Sequence, residues 1–196
     1  TTTGYSKLYV NAGKVTNKGI ELALGFKQNI GPVDWKTTLL WSLNRNRIDQ
    51  LLPEYTNEEL GVTVHLDEMD VYSLGGAKQR LTVGGSMGDV YVNTMRTDEH
   101  GHIWMNSMTG TLETDKNNYV YAGNTNPKYT LSWRNEFNWK GISLGFMLNA
   151  RVGGIGVSAT QAVMDYYGVS KTSAEARDNG GVKVNGQMID AQTWYQ

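Results

Sequence analysis

Three histidines, His65, His100 and His102, are the only imidazoles in the 196-residue chain. His100 and His102 follow Asp98 and Glu99, and imidazoles beside carboxylates form a metal-ligand set on paper. The intervening Gly101 and the acidic context read instead as a tight turn with solvated side chains. Asp115–Asn118, "DKNN", offers oxygen ligands for calcium but lacks the Asp/Asn ladder and distal Glu of an EF-hand loop. Gly84–Gly88, "GGSMG", lacks the Lys-Ser/Thr of a phosphate-binding P-loop, and no helix is expected after it. It marks a close backbone approach or a bulge in a strand. Serines and aspartates are plentiful, yet neither a G-x-S-x-G nucleophile elbow nor a convincing histidine partner is expected. No catalytic constellation emerges, so the expectation is a non-enzyme without cofactor or bound metal.

Aromatic residues in connecting segments are the remaining chemistry. Trp104, Tyr119 and Tyr121 fall in a long central region, and Tyr166 and Tyr167 in the final tract. Rings there suit stacking on sugar rings, on a partner protein or on the loops themselves. These five residues are the candidate ligand or partner contacts.

The elements that hold these loops are strands with two unlike faces. In "KGIELALGFKQ", Lys18–Gln28, the residues Ile20, Leu22, Leu24 and Phe26 alternate with Glu21, Ala23, Gly25 and Lys27. In "WKTTLLWSLNR", Trp35–Arg45, the residues Trp35, Leu39 and Trp41 alternate with Lys36, Thr38 and Ser42. In "YTLSWRNEFNWKGISLGFMLNARV", Leu131, Trp133, Phe137 and Trp139 precede a Lys140-Gly141 break, and Leu144, Phe146 and Leu148 follow it. The interleaved charges are Arg134, Glu136 and Arg151. Alternation over about ten residues exceeds the five or six of an average soluble strand and matches the length that crosses a bilayer at a tilt.

Composition agrees with a strand-rich chain. Glycine is high at 23 and proline low at 3, while 6 Trp and 11 Tyr argue against disorder. Net charge is −1, which leaves no basic footprint for nucleic acid, and no polybasic run addresses an anionic membrane surface. Cysteine is absent, excluding disulfide scaffolds and thiolate chemistry. Connections alternate between very short and very long, and Trp35 and Trp139 stand at strand ends beside the short ones, as an interfacial girdle would. The predicted fold is all-β: a segment of a large antiparallel transmembrane barrel, with hairpins at about 18–45 and 129–152. Long extracellular loop regions, the first with one more possible strand at "RLTVGGSMGDVYV" and a turn signal at "DKNN", are expected at about 46–128 and 153–196. The latter's "SKTSAEARDN" has room for a helical turn or two. Four strands cannot close a barrel, since about eight are needed, so the chain is expected to be part of something larger.

"NAGKVTNKGIELAL" (Asn11–Leu24) resembles a barrel segment of SusC/RagA-type TonB-dependent outer-membrane transporters, with its N-x-G-x-x-x-N-K-G-x-E run. "WKTTLLWSLNRNRI" is similar to the returning strand, "LTVGGSMGDVYV" to the V-G-x-S-x-G-x-[IVF]-Y element, and "TDEHGHIW" to a D-x-[ND]-G-x-I turn. "YAGNTNPKYTLSWRNEFNWKGISLGFMLNARVGG" resembles the family's G-N-x-x-P-K, strand, turn and strand. The likeness spans Asn11 to Gly154, whereas the family's plug, TonB box and closing strands have no counterpart in these residues. The chain therefore looks like an excerpt from the second half of a barrel of about 22 strands.

The resemblance implies uptake of oligosaccharides or peptides across the outer membrane of a Gram-negative bacterium. TonB supplies the energy through the plug, and a SusD-like surface lipoprotein is the partner. Ile20, Leu22, Leu24, Phe26, Trp35, Leu39, Trp41, Leu131, Trp133, Phe137, Trp139, Leu144, Phe146 and Leu148 would then face lipid. Glu21, Lys27, Lys36, Arg134, Glu136 and Arg151 would face the lumen. Asn135 falls on the lipid-side register, where a bulge or a protein neighbour is expected. The alternative is a soluble, secreted β-sandwich glycan-binding module, which would bury Ile20, Leu24, Leu39, Trp41, Phe137 and Phe146 between two sheets. A β-rich hydrolase is a weaker third option.

Overall fold

The structure, a computed structural model, describes residues 13–57 and 61–196. Residues 11 and 12 of the N-x-G-x-x-x-N-K-G-x-E run lie outside the described residues. The chain runs through β1 (Lys14–Ile30), β2 (Val33–Gln50), β3 (Leu52–Asn57), β4 (Val62–Leu66), β5 (Glu68–Leu74), β6 (Ala77–Thr82) and β7 (Asp89–Met95). It continues through β8 (Thr114–Asn124), β9 (Tyr129–Trp139), β10 (Ile142–Val152), α1 (Ala159–Tyr166), α2 (Lys171–Asp178), β11 (Val182–Val184), β12 (Gln187–Ile189) and α3 (Ala191–Tyr195). The fold is mostly β with antiparallel sheets, and among the described residues no sheet closes on itself. No helix among them is long and apolar enough to cross a membrane.

Two compact units share the chain. The first takes the described residues up to Val71, with Arg80–Asp89 and Gly123–Ile155; the second takes Tyr72–Gln79, Val90–Ala122 and Gly156–Gln196. The first is built on an antiparallel sheet in the order β1-β2-β9-β10. Both hairpins of this sheet close through two-residue turns, Ile30 pairing with Val33 and Trp139 with Ile142. Lys140 and Gly141 both have positive φ, 45° and 85°, as the twist of a two-residue hairpin requires. β1 and β2 are longer than the alternation marks, at 17 and 18 residues. Their extra length is polar and carries the ladder past the apolar stretch: Asn46 Nδ2 donates to Asn17 Oδ1 at 3.0 Å, and the Thr16 hydroxyl donates to Asp49.

Region 46–128, read from sequence as loop with one further strand, contains β3 to β8. The "RLTVGGSMGDVYV" stretch is two strands rather than one, and Gly84–Gly88 is their connection, not a bulge. "DKNN" lies within β8, not in a turn. All but the 11-residue β8 are five to seven residues long and set among turn residues, too short to establish a period, which is why they read as loop.

The Gly84–Gly88 connection seats itself on the polar end of β2. Ile48 N donates to Gly85 O and Gly84 N to Ile48 O, both at 2.8 Å, while Ile48 itself is fully buried. Met87 N donates to Asn46 Oδ1 at 2.8 Å. Buried Asp89 accepts from Ser86 N and from Asn124 Nδ2, both at 2.7 Å, and Thr125 N donates to Gly88 O at 2.8 Å. The segment between β8 and β9 is thereby bound to the one between β6 and β7. Arg151 Nη2 adds a bond to Thr125 O at 2.8 Å.

A Cβ at Gly88 would stand 2.7 Å from Asn124 Oδ1, Thr125 Oγ1 and Asn126 Nδ2. We therefore expect Gly88→Ala to destabilise this unit by about 1–3 kcal/mol, since three converging side chains must move at once. Urea unfolding of the full-length protein measures it; a midpoint equal to wild type would contradict the close approach.

Candidate functional site

The β1-β2-β9-β10 sheet sorts its side chains by register. Leu22 pairs with Trp41, Trp41 with Leu131, and Leu131 with Ala150. The next row of this face is Leu24, Leu39, Trp133 and Leu148, and then Phe26, Thr37, Asn135 and Phe146. Toward the turns follow Gln28, Trp35, Phe137 and Leu144. No charged residue stands on this face between Ile20 and Ile30, Val33 and Leu43, or in β9 and β10. It is also uncovered: Ile20 is 60%, Leu24 55% and Leu148 57% exposed. Leu39, Trp41 and Phe137 are only half-buried.

The rings form a continuous layer. Phe26 meets Trp35 edge-on at 5.8 Å, Trp35 stacks on Phe137 at 6.1 Å, and Phe137 on Phe146 at 6.3 Å. Phe146 meets Trp133 at 6.1 Å, and at the far end Trp41 lies 6.4 Å from Tyr129. Trp139 flanks the Lys140-Gly141 turn, with Lys140 Nζ 5.6 Å from its ring centroid.

Thr37 and Asn135, polar residues inside this layer, both serve indoles. Trp35 Nε1 donates to Asn135 Oδ1 at 3.1 Å, and Trp133 Nε1 donates to Thr37 Oγ1 at 2.9 Å. The Thr37 hydroxyl passes its own proton to Arg134 O at 3.2 Å. Asn135 is 1% exposed, and its Nδ2 is buried without an acceptor. The bulge expected there is absent: Asn135 pairs with Thr37 and Phe146 in unshifted ladders. The residue fits because rings roof it and an indole N–H saturates its oxygen, not because the strand bends away.

The opposite face carries Glu21, Lys27, Lys36, Arg134, Glu136 and Arg151. Lys36 Nζ lies 4.0 Å from Glu136, which the Arg134 guanidinium also contacts. With Thr38 these side chains line a hollow of about 40 Å³. Lys27 pairs with Lys36 across the ladder. Arg151 turns to the Thr125 carbonyl.

The five aromatic candidates fall in separate groups within the second unit. Trp104 lies under the Arg96 guanidinium at 4.4 Å, and Arg96 also pairs with Glu113 at 3.3 Å. Tyr119 carries the Lys78 ammonium 3.4 Å above its ring, and exposed Tyr121 meets Tyr91 edge-on at 5.7 Å. Tyr166 and Tyr167, both exposed, pair edge-to-face at 5.2 Å at the end of α1. Trp104 and Tyr119 thus serve internal cation–π contacts. Tyr167 also borders a hollow of about 290 Å³ with Asp165, Arg177, Gln192 and Tyr195.

The sequence reading missed those last residues because it gave the tract only "a helical turn or two". α2 answers that expectation, but α1 and α3 were unforeseen, although Ser158 and Gln161 form a legible capping pair. The Asn185-Gly186 turn of β11–β12 was legible too. Asn185 holds this hairpin to Ile103, accepting from its N–H at 3.1 Å and donating to its carbonyl at 2.7 Å.

The histidine segment is a turn. Asp98 Oδ1 accepts from the backbone N–H of both His100 and His102 at 2.9 Å, and Oδ2 lies 3.3 Å from His102 Nδ1. His65 stands apart on β4, 2.9 Å from Asp67. Among the described residues no three His, Asp or Glu side chains converge on one point. Gly84–Gly88 spells G-x-S-x-G, yet Ser86 Oγ has Asn46 as its neighbour, at 3.4 Å, and a strand follows instead of a helix.

The His102 N–H, followed by the other bonds to the carboxylate, holds the Asp98 pKa below its ordinary value. A lowered folded pKa stabilises the turn above the unfolded pKa, and that contribution is lost as pH falls through the folded value. We expect His102 amide exchange, corrected for its intrinsic pH dependence, to lose protection below about pH 4 and to be unprotected at every pH in Asp98→Ala. Equal protection in the variant would remove Asp98 from this role.

The Trp35–Asn135 bond predicts a coupling. Asn135→Leu should cost about 1–3 kcal/mol by orphaning the indole N–H, and much less in a Trp35→Phe background. A double-mutant cycle by urea unfolding of the full-length protein reads it, and strictly additive effects would refute it.

No protein-family model matches the chain, and no curated protein matches it.

Proposed function

We propose that this chain is wall and loops of a SusC/RagA-type TonB-dependent transporter in the outer membrane of a Gram-negative bacterium. One observation carries the reading: an uncharged face kept in register over four strands and ended at one side by two-residue turns. β9 and β10 have 11 residues each. At about 3.3 Å per residue and a tilt of about 40°, such strands cover roughly 28 Å of height, close to an outer-membrane apolar band. The outer edges of β1 and β10, unpaired among the described residues, favour further strands on both sides, because open edges in hydrocarbon leave backbone groups unsatisfied.

The ring layer supports lipid as the neighbour. Of the four indoles on this face, Trp35 and Trp133 have their N–H groups bonded within the sheet, as suits a neighbour without acceptors. A sandwich module would instead cover Ile20 and Leu24, which are exposed here. In this reading Lys27, Lys36, Arg134 and Glu136 line a wet interior, where charges keep their hydration. Substrate is an oligosaccharide or peptide, the lid a SusD-like lipoprotein, and the energy comes through TonB. No bond is made or broken by this segment.

Full-length protein should partition to the membrane fraction and leave it only with detergent. In vesicles, Leu24→Arg and Leu148→Arg should each lower stability by about 2–4 kcal/mol, while Ala23→Arg and Asn149→Arg on the other face change it little. Uptake of labelled oligosaccharide or peptide should stop when TonB is deleted. Protein that is soluble without detergent and tolerates Leu24→Arg would overturn the reading.

A further inference from the structure

The ladder between β1 and β2 continues past the apolar stretch without changing face. From Val15 onward the register is unbroken, so residues two and four positions beyond Ile20 and Leu43 still point the same way. Those positions hold Lys18 opposite Arg45 and Thr16 opposite Arg47. Three cations thus stand directly above the apolar face, at the end away from the tight turns. Trp41 and Tyr129 form the ring pair just beneath them.

We infer that Lys18, Arg45 and Arg47 bind the phosphate of a lipid headgroup at the outer margin of the apolar band. Like charges directly opposite across a ladder repel, and Lys18 and Arg45 have no hydrogen bond or ion pair among the described residues to offset this. Asp49, on the same strand two residues beyond Arg47, is taken by Arg47 at 3.9 Å and by the Thr16 hydroxyl. The Arg47 side chain is 72% exposed. On the reverse face the ladder is closed by buried Ile48 and by the Asn46–Met87 bond, so the cations are directed outward only. An anion at this height meets both guanidinium groups and the ammonium.

A lipid fits better than a free anion because the exposed apolar face runs on beneath the cations without a break. Acyl chains on Ile20, Leu22 and Leu43 hold a headgroup level with Lys18 and Arg45. No run of basic residues signals the cluster. Strand pairing assembles it from residues 18, 45 and 47.

The inference rests on the apolar face lying in a bilayer. Its test uses full-length protein in phosphatidylcholine nanodiscs with a minority of phosphatidic acid, and retained lipid is counted by native mass spectrometry. Wild type should enrich phosphatidic acid, and K18Q/R45Q/R47Q should lose affinity by about fivefold per cation, on the order of a hundredfold in all. Lys27→Gln, on the other face, should retain it, and inorganic phosphate at equal phosphate concentration should not displace it. Normal insertion with equal retention by the triple variant overturns the inference alone. Displacement by inorganic phosphate overturns the lipid as ligand. Failure of wild type to insert overturns the membrane reading together with it.

Discussion

The pairing of β2 with β9 is the constraint on which the rest of the sheet depends. These strands are far apart in sequence, and each is already half of a local hairpin. Joining them at Trp41–Leu131 and Val33–Trp139 aligns two separately amphipathic ribbons into one surface with a single apolar face. A slip of one residue would set Leu39 and Trp41 among the charges of the other face and bring Lys36 onto this one. The ladder bonds themselves are indifferent to such a slip. What selects the register is the side chains: rings against rings on one face, Lys36 against Glu136 on the other, and the two indole bonds.

Those indole bonds also explain why polar residues stand in an apolar layer. An indole N–H facing hydrocarbon, or any dry neighbour, loses its water and must find an acceptor. Thr37 and Asn135 provide one each, and the Thr37 hydroxyl in turn spends its proton on a backbone carbonyl. Asn135 Nδ2 remains unmatched, flanked by Phe137 and Phe146 on the same face. Stacking among these rings supplies attraction that an unpaired amide donor partly offsets.

At the end away from the turns, order comes from hydrogen bonds instead of apolar cover. Asn46, Asp89 and Asn124 each hold backbone or amide groups of another segment, and Ile48 is the single fully buried apolar side chain at their centre. Two motifs quoted separately from the sequence, "VGGSMGD" and "GNTNPK", are therefore one physical object. Gly88 is small because the second motif fills the space its side chain would need. The polar extension of β1 and β2 rises beside this knot and lines up Lys18, Arg45 and Arg47.

The sequence alone determined what local chemistry can determine. Alternation at Ile20–Phe26 and Leu131–Phe137 named strands and their two faces, Lys140-Gly141 named a tight turn, and Asp98 with Gly101 named another. It left most of β3 to β8 as loop, because all but β8 are only five to seven residues long and stand among turn residues, too short to establish a period. It offered Trp104 and Tyr119 as ligand or partner contacts, and only the structure shows that each ring carries a cation, Arg96 and Lys78. It found no basic cluster, since Lys18 joins Arg45 and Arg47 only across a ladder. Tertiary structure alone decided which strands are neighbours, that Asn135 needs no bulge, and that Gly84–Gly88 meets Asn124–Asn126. Each of these depends on groups distant in the chain meeting at hydrogen-bond range, and periodicity along a chain holds no information about such meetings.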